Sequence, residues 1–200
     1  YRAQRIYRIL SDIHKTKREH KTKKITLTPS YFKGINKLGD FQWMMGQGYQ
    51  RTLFIFNDNE EQFIDFNKYI RATTEISAIN GACAAGGKNA VVRSFQCTFP
   101  PRAAGIPTGS RKRVSQYDPG YNQLDETTKH YLDVALAYIS LLLKLGYYDQ
   151  VYYSAKMVKR KETTDLATNT FKLSPEVNTY ITDGLRTVVF EANQHNGYSQ

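Results

Sequence analysis

The chain is poor in the residues that build covalent or metal-held scaffolds. Among its 200 residues are two cysteines, Cys83 and Cys97, and four histidines. None stands in a C-x-x-C or H-x-x-x-H spacing, which argues against a zinc site or a disulfide framework and favours a reducing compartment. The absence of any N-x-S/T sequon points the same way, toward an intracellular protein, cytoplasmic or virion-associated. Apolar runs are short as well. The longest, Val134 to Leu145, is interrupted by Ser140 and Lys144, well below the roughly 18 residues of a membrane helix, so no membrane partner is expected. Neither G-x-x-x-x-G-K-[ST] nor G-x-G-x-x-G occurs, nor an RNP-like motif, a KH loop or a zinc knuckle. The carboxylate pairs Glu60-Glu61 and Asp125-Glu126 sit at expected helix starts, where the helix dipole explains them. No metal or cofactor is expected.

What the chain has instead is positive charge, unevenly placed. Lys and Arg number 28 against 18 Asp and Glu, a net +10, and residues 1–33 hold ten of the cations against Asp12 and Glu19. Eight of the ten net charges thus lie in an N-terminal arm, and the remainder is nearly neutral. Within the arm Ile6, Ile9, Leu10 and Ile13 recur at helical steps, among Arg2, Arg5, Arg8, Lys15, Lys17, Arg18, Lys21, Lys23 and Lys24. That pattern predicts a basic helix. It either caps the domain as a solvated face or contacts nucleic acid or an acidic protein partner, since such dense like charge repels itself until neutralised.

From Gly34 the composition is that of a single α/β domain, taken as residues 34–190 with a loose tail at 191–200. Thr52-Leu53-Phe54-Ile55-Phe56 predicts a buried strand, followed by the turn Asn57-Asp58-Asn59 and a helix over Glu60 to Arg71 capped by Asp58 or Asn59. Phe95 to Phe99 and Ala103 to Ile106 read as strands, Ser110 to Tyr121 as an exposed basic loop with Arg111, Lys112 and Arg113, and Asp125 to Leu145 as a long amphipathic helix ended by Gly146. Val151 to Ser154 then forms a strand, and Ser174-Pro175-Glu176 opens a last helix. Strands alternating with helices predict a largely parallel central sheet covered on both faces, a three-layer Rossmann-like or macro-like arrangement. Such sheets bind ligands at the carboxyl ends of their strands.

Three segments fall at predicted strand ends. They are Asn57-Asp58-Asn59, the small-residue stretch ending Gly86-Gly87-Lys88-Asn89, and Gly105-Ile106-Pro107-Thr108-Gly109. Adjacent glycines let a phosphate approach backbone N–H groups, a helix opening near Asn89 would turn its positive end to the same anion, and Lys88, Arg93 and Thr108 supply charge and a hydroxyl. The alternative is that these glycines only make turns and close packing. Cys83 beside glycines is more simply a small buried residue than a nucleophile.

This order of a strand ending in Asn, a Gly-Gly loop followed by Asn-Ala, and a strand entering Pro-Thr-Gly resembles the ADP-ribose-binding macro domains and related phage-type nucleotide-binding α/β domains. The resemblance covers Thr52 to Phe171. It implies a phosphorylated nucleoside ligand, with Asn57 and Asn59 on the ribose or adenosine side, Gly86 and Gly87 around the diphosphate, and Thr108 and Gly109 nearby. Lys88 stands where the family's loop has a third glycine. Two functions follow as expectations: a nucleotide or ADP-ribose-binding domain, with or without hydrolysis of the ligand, and a non-enzymatic virion or ribonucleoprotein component that uses the arm and Arg111 to Arg113.

Overall fold

A computed structural model describes residues 23–71, 81–158, 161–164 and 171–198. Four strands, β1 (Thr26–Tyr31), β2 (Thr52–Asp58), β3 (Ala103–Pro107) and β4 (Gln150–Val158), form a parallel sheet in the order β1-β4-β2-β3, and β5 (Lys161–Thr164) runs antiparallel to β4. Between them lie helices α1 (Phe41–Gly46), α2 (Glu60–Arg71), α3 (Glu126–Lys144) and α4 (Pro175–His195), with a 3₁₀ helix, η1, over Lys88–Gln96. The protein is therefore an α/β fold with a four-stranded parallel sheet.

Side-chain alternation along the strands sorts the core into two layers. Leu53, Ile55, Ala104, Ile106, Val151 and Tyr153 face α2, α3 and α4, whereas Phe54, Phe56 and Ala103 face α1 and η1. The first layer is thick. In α3, Leu132, Ala135, Leu136, Ile139, Leu142 and Leu143 are buried at steps of three and four, as the apolar stripe predicts. Asp125 caps the helix by accepting from the Thr128 N–H at 2.7 Å, and Gly146 takes a positive φ of 73° just beyond its end. Helix α4 opens with Ser174 at the cap and Pro175 in its first turn. A glycine inside a helix costs stability, and Gly184 is there because the Leu136 side chain of α3 occupies the space a Cβ would need.

Several boundaries differ from the sequence reading. Strand β1 lies within the stretch taken as arm, so the domain begins by Ile25, not at Gly34. The buried Asn193 side chain of α4 accepts from the Ile25 N–H at 2.8 Å and donates to its carbonyl at 2.9 Å, fastening the start of the sheet. Helix α4 continues to His195 with Ala192 and Asn193 buried, so the stretch from 191 is not simply a loose tail. Phe95 to Phe99 is not a strand: its first two residues end η1. Arg2, Arg5, Arg8, Lys15, Lys17, Arg18 and Lys21 lie outside the described residues, and Lys23 and Lys24 are exposed. Among the described residues no helix is long and apolar enough to cross a membrane.

Candidate functional site

Because β1 to β4 are parallel, their carboxyl ends share one edge. Two neighbouring strands, β4 and β2, part near that edge. Their pairing ends at Ile55 with Tyr153, although β2 continues to Asp58. Ala155 of β4 has Tyr31 of β1 as its partner on one side and Thr164 of β5 on the other, so β5 takes the side of β4 that β2 holds lower down. Ser154, buried and just past the last residue of β4 paired with β2, meets η1 through Asn89.

The small-residue stretch runs along the α1 side of this edge into η1. Asn89 is its anchor: Oδ1 accepts from the Phe41 N–H at the start of α1 at 3.4 Å, and Nδ2 donates to Ser154 Oγ at 3.2 Å. Arg93 is the second anchor. Its Nε and Nη2 donate to Asp58 Oδ1 at 3.1 and 2.7 Å, while Nη1 donates to the Ala84 carbonyl at 3.0 Å. The pair is deeply buried, with Asp58 1% and Arg93 3% exposed. Burial pushes the Asp58 carboxyl above its ordinary pKa, against the attraction of Arg93 and the Asn59 N–H. Its second oxygen, Oδ2, has no hydrogen-bond partner.

Cys83 and Cys97 are joined in a disulfide, which corrects the reading of Cys83 as simply a small buried residue and runs against the reducing compartment that the cysteine spacing favoured. The link escapes sequence analysis because η1 is what carries Cys97 back to the loop. Gln96 adds a hydrogen bond to the Ala82 carbonyl at 2.6 Å, so the loop is held to η1 by a covalent bond and two side chains. Cys83 is thereby removed as a free nucleophile.

The other expected residues divide by role. Asn57 is half-buried and, by alternation, lies on the opposite face of β2 from Asp58; it does not join Gly87 and Asn89. Asn59 caps α2, its Oδ1 accepting from the Gln62 N–H at 2.8 Å. Thr108 is fully buried, with its N–H and Oγ1 both donating to the Asp58 carbonyl. Gly109 is required by packing, since a Cβ there would run into Phe171 and the Pro119 carbonyl. Gly86 is required by Arg93, whose Nη1 would lie 2.8 Å from a Cβ. Gly87 differs: it has extended backbone at φ −81°, caps η1, and has nothing within 4 Å of where a Cβ would stand. Lys88 beside it is exposed and holds a left-handed φ of 52°. The edge thus gathers Gly86, Gly87, Lys88, Asn89 and Arg93, with only Gly87 unexplained by its neighbours.

No family model, curated protein or solved structure matches the chain.

The basic loop after β3 is also firmly tied. Arg113 donates to both Glu60 oxygens, at 3.1 Å or less, to Asp125 Oδ2 at 3.2 Å and to Thr128 Oγ1 at 2.8 Å. Tyr121 donates to Glu60 Oε2 at 2.6 Å, and both burial and Glu60 push its phenol well above the ordinary value. Arg113 therefore serves the fold, which corrects its place among free cations, while Arg111, Lys112 and Tyr117 remain exposed. Among the described residues no group of three His, Cys, Asp or Glu comes together to hold a metal ion. A shallow, open cavity of about 720 Å³ lies between α3 and α4, lined by Leu136, Glu176, Tyr180, Asp183, Gly184 and Val188 among others. Its charged lining is acidic, Glu176 and Asp183, which does not suit a phosphate.

Sequence reasoning missed the loop from Phe32 to Asp40 altogether, because it missed β1. That loop follows a parallel strand and shares the carboxyl edge. Its signal was the pair Gly34 and Gly39 around Asn36, which take φ values of 126°, 92° and 58°.

Proposed function

We propose that this domain binds a phosphorylated nucleoside of the ADP-ribose type at the carboxyl edge of a three-layer, Rossmann-like or macro-like sheet. The observation that carries the reading is Gly87 at the cap of η1, whose missing side chain is required neither by a neighbour nor by a positive φ. A ligand phosphate approaching the main chain closely would supply the need. Lys88 and the opening of η1 bring positive charge to the same place. Asn89 and Arg93 act by holding the loop, and Asn59, Thr108 and Gly109 by shaping the strand ends. Cys83, committed to Cys97, takes no part as a nucleophile.

Thermal-shift and calorimetric titration with ADP-ribose, NAD and common nucleotides tests the proposal. Stabilisation by at least one of them, lost in Gly87→Val with an unchanged ligand-free melting temperature, is the expected result. No stabilisation by any would remove the reading.

A second reading, a virion or ribonucleoprotein component that holds nucleic acid, is favoured by one observation: exposed Arg111, Lys112 and Tyr117 share one anchored loop. Binding of single-stranded nucleic acid that falls steeply with salt, and that weakens in Arg111→Ala with Lys112→Ala, would support it.

A further inference from the structure

We propose that the loop from Phe32 to Asp40 is the platform for the ligand's nucleobase, an inference that rests on the nucleotide reading above and names the part of the ligand this loop recognises. The loop is built to hold its shape. The Lys33 N–H donates to the Leu38 carbonyl at 2.9 Å, the Asp40 N–H to the Lys37 carbonyl at 3.1 Å, and the Asn36 N–H to Asp40 Oδ2 at 2.9 Å. Gly39 admits no side chain, since a Cβ would strike the Tyr31 carbonyl. Asn36, a residue type that tolerates the left-handed region, supplies the other tight bend.

This rigid loop presents apolar side chains to solvent. Phe32 is 59% exposed, Ile35 78% and Leu38 45%, at steps of three, with exposed Lys33 and Lys37 between them. A loop that spends glycines and hydrogen bonds on a fixed shape, and then buries little of its own apolar surface, is suited to contact with something else. Its place in the fold says what. Asn89 ties the residue just after the loop, Phe41, to Ser154 and stands two residues from Gly87, so the apolar loop and the phosphate-facing loop meet at one side chain. A ligand spanning both has a flat apolar end and an anionic end, which is the chemistry of a nucleoside phosphate. Three side chains are enough to cover one base, whereas a stable protein partner requires some 20 to 30 residues a side. An aromatic ring and two aliphatic chains suit the face of a base, and the lysines suit its phosphates.

The test compares ADP-ribose with base-free ribose 5-phosphate by calorimetry on the full chain, using wild type and the double variant Phe32→Ser with Ile35→Ser. Both positions are exposed, and an unchanged circular-dichroism melt serves as the folding control. The expected result is tighter wild-type binding of ADP-ribose than of ribose 5-phosphate, with the variant losing about tenfold in ADP-ribose affinity and nothing for ribose 5-phosphate. Variant affinities within about twofold of wild type for ADP-ribose, or equal wild-type affinity for the two ligands, would overturn the base platform while leaving the nucleotide reading in place. Absence of wild-type binding to either would overturn the base platform as stated for ADP-ribose, and the nucleotide reading falls with it when NAD and the common nucleotides also fail to bind. Loss of self-association in the variant without loss of ADP-ribose binding would reassign the loop to a protein contact.

Discussion

Replacing Arg93 with Met puts the buried ion pair at the end of β2 to the test. Arg93 gives Asp58 Oδ1 two of the three N–H donors it receives, the third being the Asn59 backbone, while Oδ2 receives none. Methionine keeps the apolar bulk but strips the carboxylate of its counter-charge in a place only 1% exposed. Removing one partner of a buried pair costs about 3–5 kcal/mol at neutral pH, mostly the penalty of an uncompensated charge. The pH dependence identifies the cause. Asp58 already has a raised pKa in the folded protein, burial outweighing Arg93, so the folded state holds the proton more tightly than the unfolded chain does. No penalty is felt below the unfolded carboxyl's pKa, where both states are protonated, and stability is lost as pH rises through the folded pKa. Without Arg93 the folded pKa rises further, and the loss deepens and extends to higher pH. Urea denaturation of wild type and variant from about pH 4 to about pH 8 should show a deficit greatest at the alkaline end and shrinking toward the acid end. Adding Asp58→Asn should recover at least half of it at neutral pH. A deficit that does not vary with pH, or a double variant no more stable than the single one, would refute the charge argument and leave only lost packing.

Cys83→Ser should lower stability by about 3 kcal/mol, the chain-entropy value for a closed loop of about fifteen residues; a reducing agent should have the same effect on wild type and none on the variant in equilibrium denaturation. Gly109→Ala should cost about 1–3 kcal/mol by overpacking against Phe171, whereas Gly87→Ala should stay within about 0.5 kcal/mol of wild type, a contrast that one pair of urea curves decides. Tyr121→Phe should cost about 1.5–3 kcal/mol, the usual worth of a hydrogen bond to a charged group, because the buried Glu60 loses a donor. Ultraviolet difference titration of that variant against wild type should show that the Tyr121 phenol does not ionise in the range of a free tyrosine.

The elements that were legible in the sequence are those whose apolar spacing is also their packing. Strands β2 and β3 and helix α3 bury the apolar residues that their pattern singles out, α2 buries Phe63 and Phe66 but leaves Ile70 exposed, and the caps Asn59, Asp125 and Ser174 stand where capping chemistry puts them. Strand β1 was hidden by Pro29, which argues against a strand in the middle of a sheet. It is tolerated because β1 is the edge strand of the order β1-β4-β2-β3. The 3₁₀ helix was hidden for a different reason. Of its four buried positions, Ala90, Val92, Arg93 and Gln96, three recur every three residues, the period at which 3₁₀ side chains eclipse, but two of those three are polar. A hydrophobic pattern cannot register a face that is buried through an ion pair and an amide hydrogen bond.

The same distinction governs the candidate site. A glycine in a sequence carries one signal, the absence of a side chain, and at least three causes produce it: a positive φ, a neighbour occupying the space, or a ligand that has to come close. Gly39 combines the first two, and Gly86, Gly105, Gly109 and Gly120 belong to the second. Each of these is accounted for by an atom of the chain. Gly87, like Gly46 in α1, has ordinary backbone and open space, but it alone of the two stands at the carboxyl edge, between a loop clamped by a disulfide and a helix start fixed by Asn89. Rigidity on both sides of an unfilled position is what a preorganised backbone contact requires, since a loop that had to order itself on binding would lose affinity in doing so. The clamps therefore have a consequence for binding as well as for stability: Cys83→Ser should weaken any ligand held at Gly87 even under conditions where the variant remains fully folded.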